Sequence, residues 1–206
     1  TVDKKTLQVS RANMYRFLSR LYLLEVDEAL WNGMAKMTFP TAAAEGDLKD
    51  GYERGESYLK AKAGGLRPFG AGEGRVAPAR IFLSAGVAQG KAAFPYESVY
   101  TSRKHLVMQD SRMDVVALYA KKGLTPAKDQ YHVPEDHLGY LCEYMAVLCD
   151  EDAVEEQKAF VKGHLLNWVN AFTVDMAKYA STDFYRGLAK VTRGFLKLEQ
   201  DLLLKA

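Results

Sequence analysis

The sequence predicts an all-α fold, and three observations predict it. Apolar residues recur with the 3.6-residue period of a helix over most of the chain. No segment alternates apolar and polar residues far enough to build a sheet, and the best candidates, Arg80–Leu83 and Ser98–Thr101, are short. Glycine and proline clusters punctuate the periodic segments where helices would join. The expectation is one globular helical domain over residues 1–206, with roughly nine to ten helices and a long central linker.

Taken in order, Met14, Leu18, Leu21 and Tyr22 form a first apolar stripe. Helices are expected next over Glu28–Met37, Asp47–Lys62 and Ala77–Ser84. Between the last two, Gly64–Gly72 reads as a loop. Gly86–Pro95 is a second breaker, and the stretch to Tyr100 is expected to be non-helical. The linker, at about 86–103, divides an N-terminal helical part (1–86) from a C-terminal one (104–206). A helix over Met113–Lys122 ends at Gly123-Leu124-Thr125-Pro126. Leu138, Leu141, Cys142, Met145, Leu148 and Cys149 make a strong stripe. So do Val161, Leu165, Trp168, Phe172, Met176 and Tyr179, and then Phe184, Leu188, Val191, Phe195, Leu198 and Leu202.

A chain of 206 residues, 48% hydrophobic and 26% charged, is long enough to bury a substantial core. A net charge of +2 is too balanced to imply nucleic acid or an acidic membrane as partner. No apolar run is long enough to span a bilayer, no signal-peptide core opens the sequence, and no Arg-Arg pair occurs, so a cytoplasmic protein without its own export signal is expected. The two cysteines, Cys142 and Cys149, sit seven residues apart on one helix face, about 10 Å, too far for a disulfide. They read as buried thiols.

Two segments stand out. Pro134-Glu135-Asp136-His137 reads as a helix start, with Pro at the first helical position and acids complementing the dipole. On a helical wheel Asp136 points away from the Leu138/Leu141/Cys142/Met145 stripe and so is expected outside the core. His137 lies at the stripe's edge, with a pKa depressed by the helix N-terminus. The other segment is Phe94–Tyr100, where an extended backbone would bring Tyr96, Ser98 and Tyr100 to one side as an aromatic groove wall. His132, Asp136, His137, Cys142 and Glu143 are close in sequence, but the helix separates Asp136 from Cys142, and no Glu-x-x-His or Cys-x-x-Cys occurs, so no metal is expected. Gly90-Lys91 imitates the end of a P-loop, yet Ala85 and Ala92 replace the required Gly and Ser/Thr. Gly70-Ala71-Gly72-Glu73-Gly74 lacks a preceding strand.

These segments resemble the redox-enzyme maturation chaperones of the TorD/DmsD type. Arg80-Ile81-Phe82-Leu83-Ser84-Ala85-Gly86 resembles the family's Arg-x-Phe-x-Gly element, with Ser84 where Gly is expected. Pro95–Tyr100 resembles its aromatic-x-Ser-x-aromatic element. Pro134–Gly139 resembles its E-P-x-D-H-[IL]-G motif, with Val133 in place of the first Glu. His164–Trp168 and Tyr185–Leu196 resemble the last two helices.

The resemblance implies a cytoplasmic, all-helical, non-enzymatic chaperone. Such a protein binds the twin-arginine signal peptide of a molybdenum-cofactor oxidoreductase and delays export until cofactor insertion and folding are complete. The implied peptide-binding residues are Tyr96, Ser98, Tyr100, Pro134, Glu135, Asp136, His137, Leu138 and Gly139, with Arg80, Phe82 and Glu97 as additions. Asp136, aided by Glu135 or Glu97, would pair with the arginines, and Tyr96 and Tyr100, with Leu138 at the rim, would take the apolar run. The partners implied are the leader and the catalytic subunit of that oxidoreductase, with no nucleic acid, no stable membrane insertion, and either a monomer or a homodimer exchanging helices through the linker. No cofactor is expected; weak guanine-nucleotide binding is suggested by the family resemblance only, and the sequence offers no site for it. One rival is a nitrate-reductase-type chaperone that acts on the mature subunit, without the leader. A metal- or nucleotide-dependent enzyme is the other, and the missing ligand spacings argue against it.

Overall fold

The computed structural model describes residues 3–24, 26–63, 92–127, 132–180 and 182–205. The helix expected at Ala77–Ser84, the strand candidate Arg80–Leu83, the glycine segments at 64–74 and 86–91, and the site candidates Arg80 and Phe82 lie outside them.

The described residues form nine α-helices and no strand. They are α1 (Lys4–Leu23), α2 (Glu28–Lys36), α3 (Gly46–Ala63), α4 (Glu97–Thr101), α5 (Asp110–Lys121), α6 (Leu138–Asp150), α7 (Val154–Phe160), α8 (Val169–Tyr179) and α9 (Asp183–Leu204). A 3₁₀ turn occupies Thr41–Ala43. A π turn over Val161–Leu165 is closed by Leu166 N donating to Val161 O at 2.9 Å. Local chemistry fixes several starts: Asp3 accepts from Thr6 N (3.0 Å) and Asp27 from Leu30 N (2.7 Å), each satisfying an orphan N–H of a first turn.

The chain forms two compact units, each assembled from separated segments. The first comprises Thr1–Leu24, Pro95–Val169 and Glu199–Ala206. Its centre is α6, whose expected stripe (Leu138, Leu141, Cys142, Met145, Leu148, Cys149) is almost wholly buried. Burying each such Leu or Met contributes about 1.5–3 kcal/mol. α1 packs along α6, and Gly139 makes the approach possible, because any side chain there would run into Leu23. Cys142 and Cys149 are buried free thiols, as expected. Burial pushes the Cys142 thiol far up and Cys149 to about 12, so both stay protonated.

Within this unit lies a buried ionic network that the stripe analysis missed. Arg11 on α1 donates from Nε and Nη2 to both oxygens of Glu199, each at 2.7 Å. Tyr15 Oη donates to Glu199 (2.9 Å), and Arg11 Nη1 donates to Gln8 (2.6 Å) and Gln157 (2.7 Å). Arg11 and Glu199 are 5% and 1% exposed. The buried face of α9 therefore turns at its end through Leu196, Glu199 and Leu203. Leu198 and Leu202, expected in the core, are exposed. The pair overrides apolar periodicity because a buried carboxylate must keep its cation.

The second unit comprises Glu25–Phe94 and Asn170–Leu198. Its core gathers Trp31, Met34, Leu59, Phe172, Met176 and Phe184. α3 meets α9 through glycines: a Cβ on Gly51 would lie 2.7 Å from Val191 Cγ2, and one on Gly194 would lie 2.5 Å from Leu48 N. Arg193 grips Asp47 (2.7 and 3.0 Å) and Lys190 grips Asp50 (2.7 Å) beside this contact.

Candidate functional site

The two singled-out segments meet in the first unit. Tyr96 and His137 form an isolated antiparallel bridge. Leu138 N donates to Pro95 O (2.8 Å) and Glu97 N to Asp136 O (3.1 Å). The Phe94–Tyr100 stretch does not stay extended: it turns into α4 at Glu97. The cause is long-range. Asp136 Oδ2 accepts from Ser98 N at 2.8 Å and caps the start of α4 from across the bridge. Tyr96, Ser98 and Tyr100 consequently do not form one open wall. Tyr96 and Ser98 are buried, and Tyr100 is half-buried and stacked on Trp168 (centroids 5.6 Å apart).

Pro134, Glu135 and Asp136 precede α6 rather than opening it. His137 is the N-cap, accepting from Gly139 N through Nδ1 at 3.1 Å. This bond places the proton of the neutral ring on Nε2. The depressed pKa expected for His137 is present, at about 3, and its cause is burial. Asp136, expected outside the core, is 0% exposed, and Leu138, expected at a rim, is 1% exposed. Asp136 stands before the helix starts, where Pro95–Ser98 covers it, so helical phase does not place it. Asp136 Oδ1 and the Ser98 hydroxyl are buried without a hydrogen-bond partner, which marks this knot as polar and incompletely satisfied.

Glu135 is held from two sides: its side chain pairs with Arg112 of α5, and its carbonyl accepts from Tyr119 Oη at 3.0 Å. Glu97, 2% exposed, faces His164 Nδ1 through both oxygens (3.2 and 3.1 Å) and Asn167 Nδ2 (3.4 Å). Burial raises its pKa, and the Asp136 charge adds to the effect. The π turn carries His164 to this carboxylate, and Trp168 Nε1 donates to His164 O at 2.7 Å. Sequence analysis assigned no role to Arg112, Tyr119, His164 or Asn167. The available signal was His164-Leu165-Leu166-Asn167-Trp168, which puts a His and an Asn beside the stripe at helical spacing. Of the nine main candidates, Tyr100 and Pro134 alone keep partial solvent access.

Several known proteins are similar to this chain in sequence. A family model described as the nitrate reductase delta subunit matches residues 77–174. The chaperone protein TorD of Shewanella pealeana is 23% identical over 210 residues, covering 98% of this chain and 94% of that protein. TorD of Shewanella amazonensis is 26% identical, covering 94% and 92%. The Tat proofreading chaperone DmsD of Salmonella typhimurium is 27% identical over 99 residues, 48% of either chain. Along almost its whole length the chain is thus similar in sequence to TorD-type maturation chaperones, and along about half of it to DmsD. The relatives that it resembles are named as chaperones, not as enzymes. Among the described residues no cluster of His, Cys, Asp and Glu could hold a metal ion, and no helix is long and apolar enough to cross a membrane.

Proposed function

We propose that the protein is a cytoplasmic, system-specific chaperone of a molybdenum-cofactor oxidoreductase. It binds that enzyme's twin-arginine leader and holds it back from export until cofactor insertion and folding are done. The observation that carries this reading is kinship with TorD chaperones along almost the whole chain, joined to the bridge between Pro95–Ser98 and Pro134–Leu138. In this reading Asp136, His137, Ser98 and Gly139 act by holding α4 against α6. Tyr100 and Pro134, the candidates that keep solvent access, face the peptide. A leader supplies arginines and an apolar helix-forming run, and an acidic, aromatic helical surface complements both.

Isothermal titration with synthetic twin-arginine leaders from molybdoenzymes encoded beside the gene tests the reading. Saturable binding at about 1:1, weakened by Arg-to-Ala changes in the peptide, is expected. A second reading, action on the mature catalytic subunit, is favoured by the match to the nitrate reductase delta subunit family. Under it the folded protein ignores every leader and co-purifies with a leaderless client.

A further inference from the structure

A groove of about 400 Å³ lies in the first unit beside the motif knot. Leu23 and Val147 line it with aliphatic surface, while Tyr119 and Tyr144, their rings 5.1 Å apart, line it with aromatic surface. Its wall is continuous with the motif: Tyr119 Oη holds the Glu135 carbonyl, and Tyr140, also in the lining, directly follows Gly139. The lining contains one carboxylate, Glu143. Glu143 is exposed and forms no ion pair among the described residues. The nearby Arg16 is committed to Asp150 instead.

A carboxylate that makes no ion pair among the described residues, and that Arg16 attracts without bonding it, complements a cation carried on an apolar stem when it lies beside aliphatic and aromatic walls. Arginine fits better than lysine, because its planar fork pairs with a carboxylate through two hydrogen bonds, stacks on aromatic faces and sheds water more readily. Asp136 offers no such receptor, being wholly buried with one oxygen bonded to Ser98 N. We propose that this groove receives one arginine side chain of the leader, with the guanidinium on Glu143 and the stem along Leu23 and the tyrosines. The inference rests on the leader-binding reading and names the acid that reading needs.

The test is titration of the full chain and of Glu143→Gln with three peptides: a twin-arginine leader, and two versions of it in which one arginine or the other is replaced by uncharged, near-isosteric citrulline. Glu143 is exposed, so the variant should keep the wild-type thermal midpoint. The expected result is at least a tenfold loss of leader affinity in Glu143→Gln. One citrulline peptide should then bind both proteins equally, because the partner of Glu143 is already neutral. Unchanged leader affinity in Glu143→Gln, with the wild type binding normally, overturns the arginine receptor and leaves the leader reading standing. Equal wild-type affinity for an arginine-free apolar peptide overturns it too. Failure of the wild type to bind any leader removes the reading itself, and the inference with it.

Discussion

At Asp136 a carboxylate is spent on the backbone of a helix 38 residues away in sequence. Asp136→Ala removes that cap and should cost about 1–2 kcal/mol in chemical denaturation, with Asp136→Asn, which keeps an acceptor, costing less. His137 makes a second prediction. Its folded pKa, about 3, lies below the ordinary value of 6.5. Between those values the unfolded chain binds a proton that the folded chain refuses, so this residue's contribution is intact above pH 6.5 and declines as pH falls toward 3. Glu97 acts oppositely: its raised pKa contributes stability at low pH that is lost as pH rises through the folded value. Urea midpoints measured across this range should fall on acidification in the wild type and fall less in His137→Asn. The sequence singled out these residues but misplaced them. Helical phase places a residue only when that residue is in a helix, and Asp136 stands before the N-cap. Its burial comes from Pro95–Ser98, a contact that no local pattern encodes.

At the scale of elements, helix positions were legible where a long apolar stripe existed: α6 and most of α9 bury the residues that periodicity nominates, and the Val161–Tyr179 stripe is buried as far as Met176, although a π turn interrupts it before α8. Periodicity failed for α4, where five residues carry no phase and a distant carboxylate makes the helix, and at the end of α9, where Glu199 replaces Leu198 in the buried face. Two predictions follow from helix contacts. Gly51→Ala puts a methyl 2.7 Å from Val191 and should cost about 1–3 kcal/mol, seen as a lowered denaturation midpoint, since neither backbone can withdraw without loosening the Arg193–Asp47 grip. Arg11→Met strands Glu199 in a dry site and should cost about 3–5 kcal/mol, whereas Arg11→Met with Glu199→Met should recover most of that loss. Additive losses in the double variant would mean that the surrounding glutamines and Tyr15, not the charge pair, hold the network.

Considered whole, the molecule is two units, each assembled from segments that alternate along the chain. Helical content was readable from composition and period, but this interleaving was not, because apolar stripes state that a face is covered without stating by which helix. The isolated segment 95–169 holds both motifs but lacks α1 and Glu199. It should therefore show little cooperative unfolding by circular dichroism, and adding the 1–24 peptide alone should not restore it. The buried pair also sets an order of events during synthesis. Arg11 leaves the ribosome 188 residues before Glu199. At about 5–20 residues per second, its guanidinium waits roughly ten to forty seconds for a partner. For that interval the nascent chain cannot bury Arg11 as the finished fold does without trapping a lone positive charge, so the first unit should close only after translation has passed residue 199.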